Sequence, residues 1–125
     1  NLASRLEGAA KVYGTRMLVA HETVEQARGM VRARELDWLR VKGKAQPVRV
    51  YEVLCRHTVE VPAHVETYAR GLALYRERRF DAALEAFSAI ADIDPPARVF
   101  RERCQQLLAH PPGPEWDGVY SLDSK

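Results

Sequence analysis

The spacing of apolar residues changes once along this chain, and that change limits what it can fold into. Leu39 and Val41 flank Arg40, and Val48 and Val50 flank Arg49, the alternation of half-buried strands. From about Pro62 to His110 the apolar residues recur instead at helical spacing. Val65, Tyr68, Leu72 and Tyr75 form one stripe. Phe80, Ala83, Leu84, Phe87, Ile90 and Ala91 form a second, and Phe100, Cys104, Leu107 and Leu108 a third. A period of two and a period of 3.6 expose different faces, so the chain reads as an α+β segment followed by an all-α one.

Within the first segment, Leu2, Leu6, Ala9, Ala10 and Tyr13 lie on one helical face, and Gly14 stands where a C-terminal cap belongs. A short β-type run follows over 15–19, then a brief helix over 21–28 closed by Gly29. Strands are expected over 34–41 and 47–54, joined through Gly43-Lys44-Ala45-Gln46. The segment is assigned residues 1–56, with 57–64 as a linker whose Pro62 suits a helix start. Helices are expected over 65–110, interrupted at Pro95-Pro96. Pro111, Pro112, Gly113 and Pro114 then open a tail over 111–125 that carries Trp116, Val119, Tyr120 and Leu122. Trp116 is expected to pin that tail onto the helices.

Composition excludes several functions. A net charge of +2, from 19 basic and 17 acidic residues, gives no global field for nucleic acid. Arg76, Arg78 and Arg79 read as a solvated helix end. Cys55 and Cys104 lack metal-type spacing, so both read as reduced packing thiols. The 4 histidines, His21, His57, His64 and His110, are scattered, with no carboxylate or cysteine at a useful spacing. Trp38 reads as a packing residue, Asp37 as a strand end, and Asp81 as the opening of a helix, where its charge favours the dipole. No apolar run approaches the ~20 residues that cross a bilayer.

The first segment also carries an ordered set of motifs. Asn1-Leu2-Ala3-Ser4-Arg5-Leu6-Glu7-Gly8 sets an amide and a guanidinium at i and i+4 on one helix face. Tyr13-Gly14-Thr15 follows, then Arg40-Val41-Lys42-Gly43-Lys44, then Pro47-Val48-Arg49-Val50-Tyr51-Glu52. Over about residues 1–54 this set resembles the C-terminal part of the catalytic domain of class III nucleotide cyclases. The resemblance implies a C-terminal fragment of a ferredoxin-like domain. In its parent that domain would convert ATP, less expectedly GTP, to the 3′,5′-cyclic nucleotide and pyrophosphate. Asn1 would position the ribose, Arg5 would stabilise the pentacoordinate α-phosphate, and Lys42 would contact the terminal phosphates, with Lys44 a weaker candidate at the loop surface. The lysine turn is not a Walker A loop, because no glycine stands five residues ahead of Gly43. The family's aspartates for Mg²⁺ or Mn²⁺ and its purine-reading residues lie upstream of this motif. The fragment alone is therefore expected to be inactive. Family members build the site between two catalytic domains, which implies a homodimer.

The second segment resembles one tetratricopeptide repeat, with Gly71, Ala73, Tyr75, Phe80, Asp81, Ala83, Phe87, Asp94 and Pro95 in a single register. Thr67, Arg70 and Ile90 depart from it. The third helix and the aromatic tail are expected to cap the repeat. Such tails resemble those of bacterial sensor-linked cyclases, which implies cytoplasmic catalysis, an upstream sensor at the membrane and a protein partner for the helices. The rival reading is a non-enzymatic scaffold with a degenerate cyclase domain. A nucleic-acid-binding regulator has only the arginine cluster behind it.

Overall fold

The computed structural model describes residues 2–27, 29–56 and 61–122 and, of Ala3, Cys55 and Arg56, the backbone alone. The chain divides into two compact units, residues 1–61 with 119–125, and residues 62–118. The architecture is mixed α and β, with five helices and a four-stranded sheet among the described residues.

The first unit contains α1 (Leu2–Tyr13), β1 (Leu18–Ala20), α2 (His21–Gln26), β2 (Val31–Val41), β3 (Val48–Arg56) and β4 (Tyr120–Leu122). Leu6, Ala9, Ala10 and Tyr13 bury the inner face of α1. The helix ends as its sequence requires: Thr15 N–H donates to Ala10 O at 3.0 Å and Gly14 N–H to Lys11 O at 3.3 Å, with Gly14 at φ +69°. The sheet order is β1-β3-β2-β4. The long β2–β3 hairpin is antiparallel, as is β1 on β3, whereas β4 pairs in parallel with β2. Tyr120 and Leu122, read from sequence as tail, thus return to the sheet as an edge strand.

One irregularity in β2 sets the orientation of everything after it. The pairing with β3 slips between Glu35 and Asp37, so Leu36 is an extra residue, a β-bulge. Before it, Arg34 and Leu36 face inward; after it, Asp37, Leu39 and Val41 do. Asp37 is therefore a mid-strand residue only 1% exposed, not the strand end its sequence context suggests. Without the bulge, strand alternation would turn it and the two apolar residues after it toward solvent.

The second unit packs α3 (His64–Arg76), α4 (Phe80–Ile90) and α5 (Pro95–Ala109) around aromatic side chains. Tyr68, Phe87 and Phe100 are wholly buried. Tyr68 meets both phenylalanines edge-on, with ring centroids 5.3 and 5.8 Å apart. Gly71 lets α4 approach: a Cβ there would stand 2.9 Å from Cζ of Phe87. Pro95 and Pro96 occupy the first turn of α5, where a missing N–H costs nothing. Trp116 packs edge-on against Tyr75 and Phe80, at 5.3 and 5.2 Å, holding the tail to the helices.

Arg78 is exposed at the helix end, as the sequence reading has it, and in addition makes defined contacts. It adopts φ +66° in the turn after α3, a position glycine usually fills. Arg79 N–H donates to Leu74 O and Arg78 N–H to Tyr75 O, both at 3.0 Å. The Arg78 guanidinium donates to Pro112 O at 2.8 Å and Gly113 O at 3.1 Å, and lies 5.5 Å from the Trp116 ring centre.

Candidate functional site

Chemistry-bearing residues of the first unit gather at the turn end of the β2–β3 hairpin. Asn1, the expected ribose-positioning residue, lies outside the described residues. Arg5 is half-buried on α1, and its Nη2 lies 3.8 Å from where a Cβ on Gly43 would stand. An arginine near the start of the chain and a turn 38 residues later are thus neighbours. Gly43 has φ +90°, a conformation that L-residues adopt only at a cost. Lys42 and Lys44 flank it, both exposed, and Lys44 N–H donates to Val41 O at 3.1 Å, tying the turn to the end of β2.

The docking of α1 on β2 was not legible in the spacing of either element alone. Tyr13, wholly buried at the last turn of α1, donates its hydroxyl to Oδ2 of Asp37. The other carboxylate oxygen accepts the Trp38 backbone N–H at 2.7 Å. The bulge makes this possible by turning Asp37 inward. A second buried charge is matched across the hairpin: Nε and Nη2 of Arg34 each lie 2.8 Å from Oε1 of Glu52, its cross-strand neighbour. These pairs fix the helix and hairpin that carry Arg5 and the lysines.

A cleft of about 400 Å³ opens beside the turn, lined by Leu2, His21, Trp38, Lys44 and Arg49 among others. This is within the range of small-molecule sites. Trp38 is more than a packing residue, since it walls the cleft and has the Arg49 guanidinium 5.5 Å from its ring centre. Arg49 also faces Glu35 at 3.9 Å. His21 does meet a carboxylate, against the sequence reading: Nε2 lies 3.9 Å from Glu25, one turn along α2, and Nδ1 lies 3.3 Å from the Tyr51 hydroxyl. An alternating strand motif signals Trp38 and Arg49 as neighbours only once the register is known.

Among the described residues, no three histidine, cysteine, aspartate or glutamate side chains come together to hold a metal ion. None of the described helices is long and apolar enough to cross a membrane. Cys104 is free and wholly buried. Burial pushes its thiol up from 9.0 to about 11, the nearby Arg103 charge acting the other way.

No protein-family profile and no solved structure matches the chain. Two curated relatives do. The chain is 30% identical over 119 residues to "Adenylate cyclase, terminal-differentiation specific" of Dictyostelium discoideum, a match covering 86% of this chain and 6% of that protein. It is 43% identical over 54 residues to "Adenylate cyclase 1" of Rhizobium meliloti (strain 1021), covering 43% of this chain and 8% of that protein. The chain spans less than a tenth of either relative. At 86% of the chain, the first match extends beyond either compact unit. The chain contains a cyclase-related region.

Proposed function

From that cyclase-related region, we propose that residues 1–56 are the C-terminal part of a class III nucleotide cyclase catalytic domain. Its parent converts ATP, with GTP less favoured, to the 3′,5′-cyclic nucleotide and pyrophosphate. The observation that carries the reading is the approach of Arg5 to Gly43, which joins the two most chemically specific segments of the chain. Similarity to two adenylate cyclases supports the same direction.

In this reaction the ribose 3′-oxygen attacks the α-phosphorus, and charge grows on the α-phosphoryl oxygens and the departing pyrophosphate. Arg5 donates its planar array of N–H groups to the α-phosphoryl oxygens, a geometry a lysine cannot reproduce. Lys42 neutralises the terminal phosphates, and Lys44, at the cleft, adds a weaker contact. Asn1 holds the ribose. This chain's proposed part in the reaction is those four side chains. In a homodimer they would act on nucleotide whose metal ion the partner domain holds. The helical unit follows as a tetratricopeptide-like helix–turn–helix, capped by α5 and the tail, with a protein as its partner. Catalysis is assigned to the cytoplasm, in a parent attached to the membrane through an upstream sensor region.

The test is cyclic nucleotide production by the parent protein extended upstream through the rest of the domain, with ATP and GTP supplied separately and Mn²⁺ present. Arg5→Ala is expected to lower kcat by about 10²–10³, and Asn1→Ala to lower it with Arg5 intact. A folded, dimeric parent that makes neither cyclic product would instead support the scaffold reading.

A further inference from the structure

We infer that β4 is a strap that holds the lysine turn in place, and that the grip of the helical unit on residues 112–116 sets how firmly it holds. The inference rests on strand pairing and on the contacts of Trp116 and Arg78, and stands or falls apart from the cyclase reading. The β2–β3 register runs from Val31↔Arg56 to Leu39↔Val48 and goes no further. Past Leu39, the strand partners of Arg40 and Val41 are Ser121 and Leu122 of β4. Lys42 is the next residue, and Lys44 N–H is tied back to Val41 O at 3.1 Å. The segment that aims the turn is therefore held in the sheet by three residues from the far end of the chain.

That strand is short and parallel, the weaker of the two pairing geometries. An exposed edge of this kind opens and closes more readily than the hairpin interior. Its closing depends on the chain that delivers it. Trp116, four residues before Tyr120, is packed against Tyr75 and Phe80. Pro112 and Gly113 are gripped through their carbonyls by Arg78. Arg78 does this from a left-handed conformation that is unfavourable for a side-chain-bearing residue. A ligand of the helical unit that takes the place of Trp116 would lengthen the free tether and slacken β4. The edge of β2 is thus a strand-docking slot filled by this chain's own C-terminal strand.

Hydrogen exchange of the full 125-residue chain tests this, because it needs no activity. Ser121→Pro, which disrupts the ladder, and a chain ending at Gly118 are each compared with the unaltered protein. In both, amides of residues 40–44 are expected to exchange at least tenfold faster, while α1 and α4 keep their rates. Trp116→Ala should give a smaller acceleration at the same residues. Unchanged exchange at 40–44 in Ser121→Pro and in the shortened chain overturns the strap. Acceleration that spreads equally through α1 overturns it too, by showing loss of the whole unit. Unchanged exchange at 40–44 in Trp116→Ala overturns the link to the helical grip.

Discussion

Replacing Tyr13 with phenylalanine removes one oxygen from the interior and leaves the ring that packs α1 onto the sheet. Tyr13 is 0% and Asp37 1% exposed, so water cannot easily replace the lost donor. The Asp37 carboxylate keeps the Trp38 amide at 2.7 Å, so it is not stripped of every partner. A hydrogen bond to a charged group contributes about 1.5–3 kcal/mol, and the surviving amide argues for a loss near ~2 kcal/mol. That is about a 30-fold rise in the unfolding equilibrium constant. Urea titration followed by Trp38 fluorescence, in a Trp116→Phe background, reads the sheet unit alone. With a slope of about 1–2 kcal/mol per molar, the midpoint should fall by roughly 1–2 M. Asp37→Asn and the double variant complete a cycle whose coupling should reach at least ~1 kcal/mol. A loss under ~0.5 kcal/mol, or no coupling, would refute the reasoning. It would show that Leu6, Ala9 and Ala10 dock the helix without help from the buried pair.

Three further outcomes are expected. Gly43→Ala places a Cβ at φ +90° and should cost about 1–2 kcal/mol in the same urea assay; an unaffected midpoint would mean the turn adapts freely. Gly71→Ala drives a methyl to 2.9 Å from the Phe87 ring, and overpacking of this kind should cost about 1–3 kcal/mol, read as a lower thermal midpoint of helical circular dichroism. Cys104 keeps its proton in the folded state up to about 11 but loses it near 9.0 when unfolded. The folded state then binds more protons between those values, so stability falls as pH rises through that window. In a Cys55→Ser background, the advantage of Cys104 over Cys104→Ala should shrink by roughly 1 kcal/mol between pH 8 and pH 10; a constant difference would contradict the shift.

Much of the local structure was legible in the residues. Gly14 signalled the end of α1, the flanking of Arg40 and Arg49 by apolar residues signalled the hairpin, and Phe80 and Phe87 signalled the face of α4. Arg5, Lys42 and Lys44 stood out through the order and spacing of their motifs. What those motifs could not reveal was the device that joins them. Nothing near Asp37 announces a bulge, because an extra residue shows itself only against the strand it is paired with. Once Leu36 is that residue, Asp37 turns inward, Tyr13 gains a partner, and α1 docks with Arg5 beside Gly43. Arg78 likewise reads as one charge in a run until Pro112 and Gly113 arrive. Tyr120 reads as tail until it meets Leu39. Periodicity and caps are fixed by neighbours within a turn or two along the chain, so the sequence by itself determined the elements. Register, buried charge pairing and edge closure join residues tens of positions apart, and only the folded chain holds such partners at hydrogen-bonding distance.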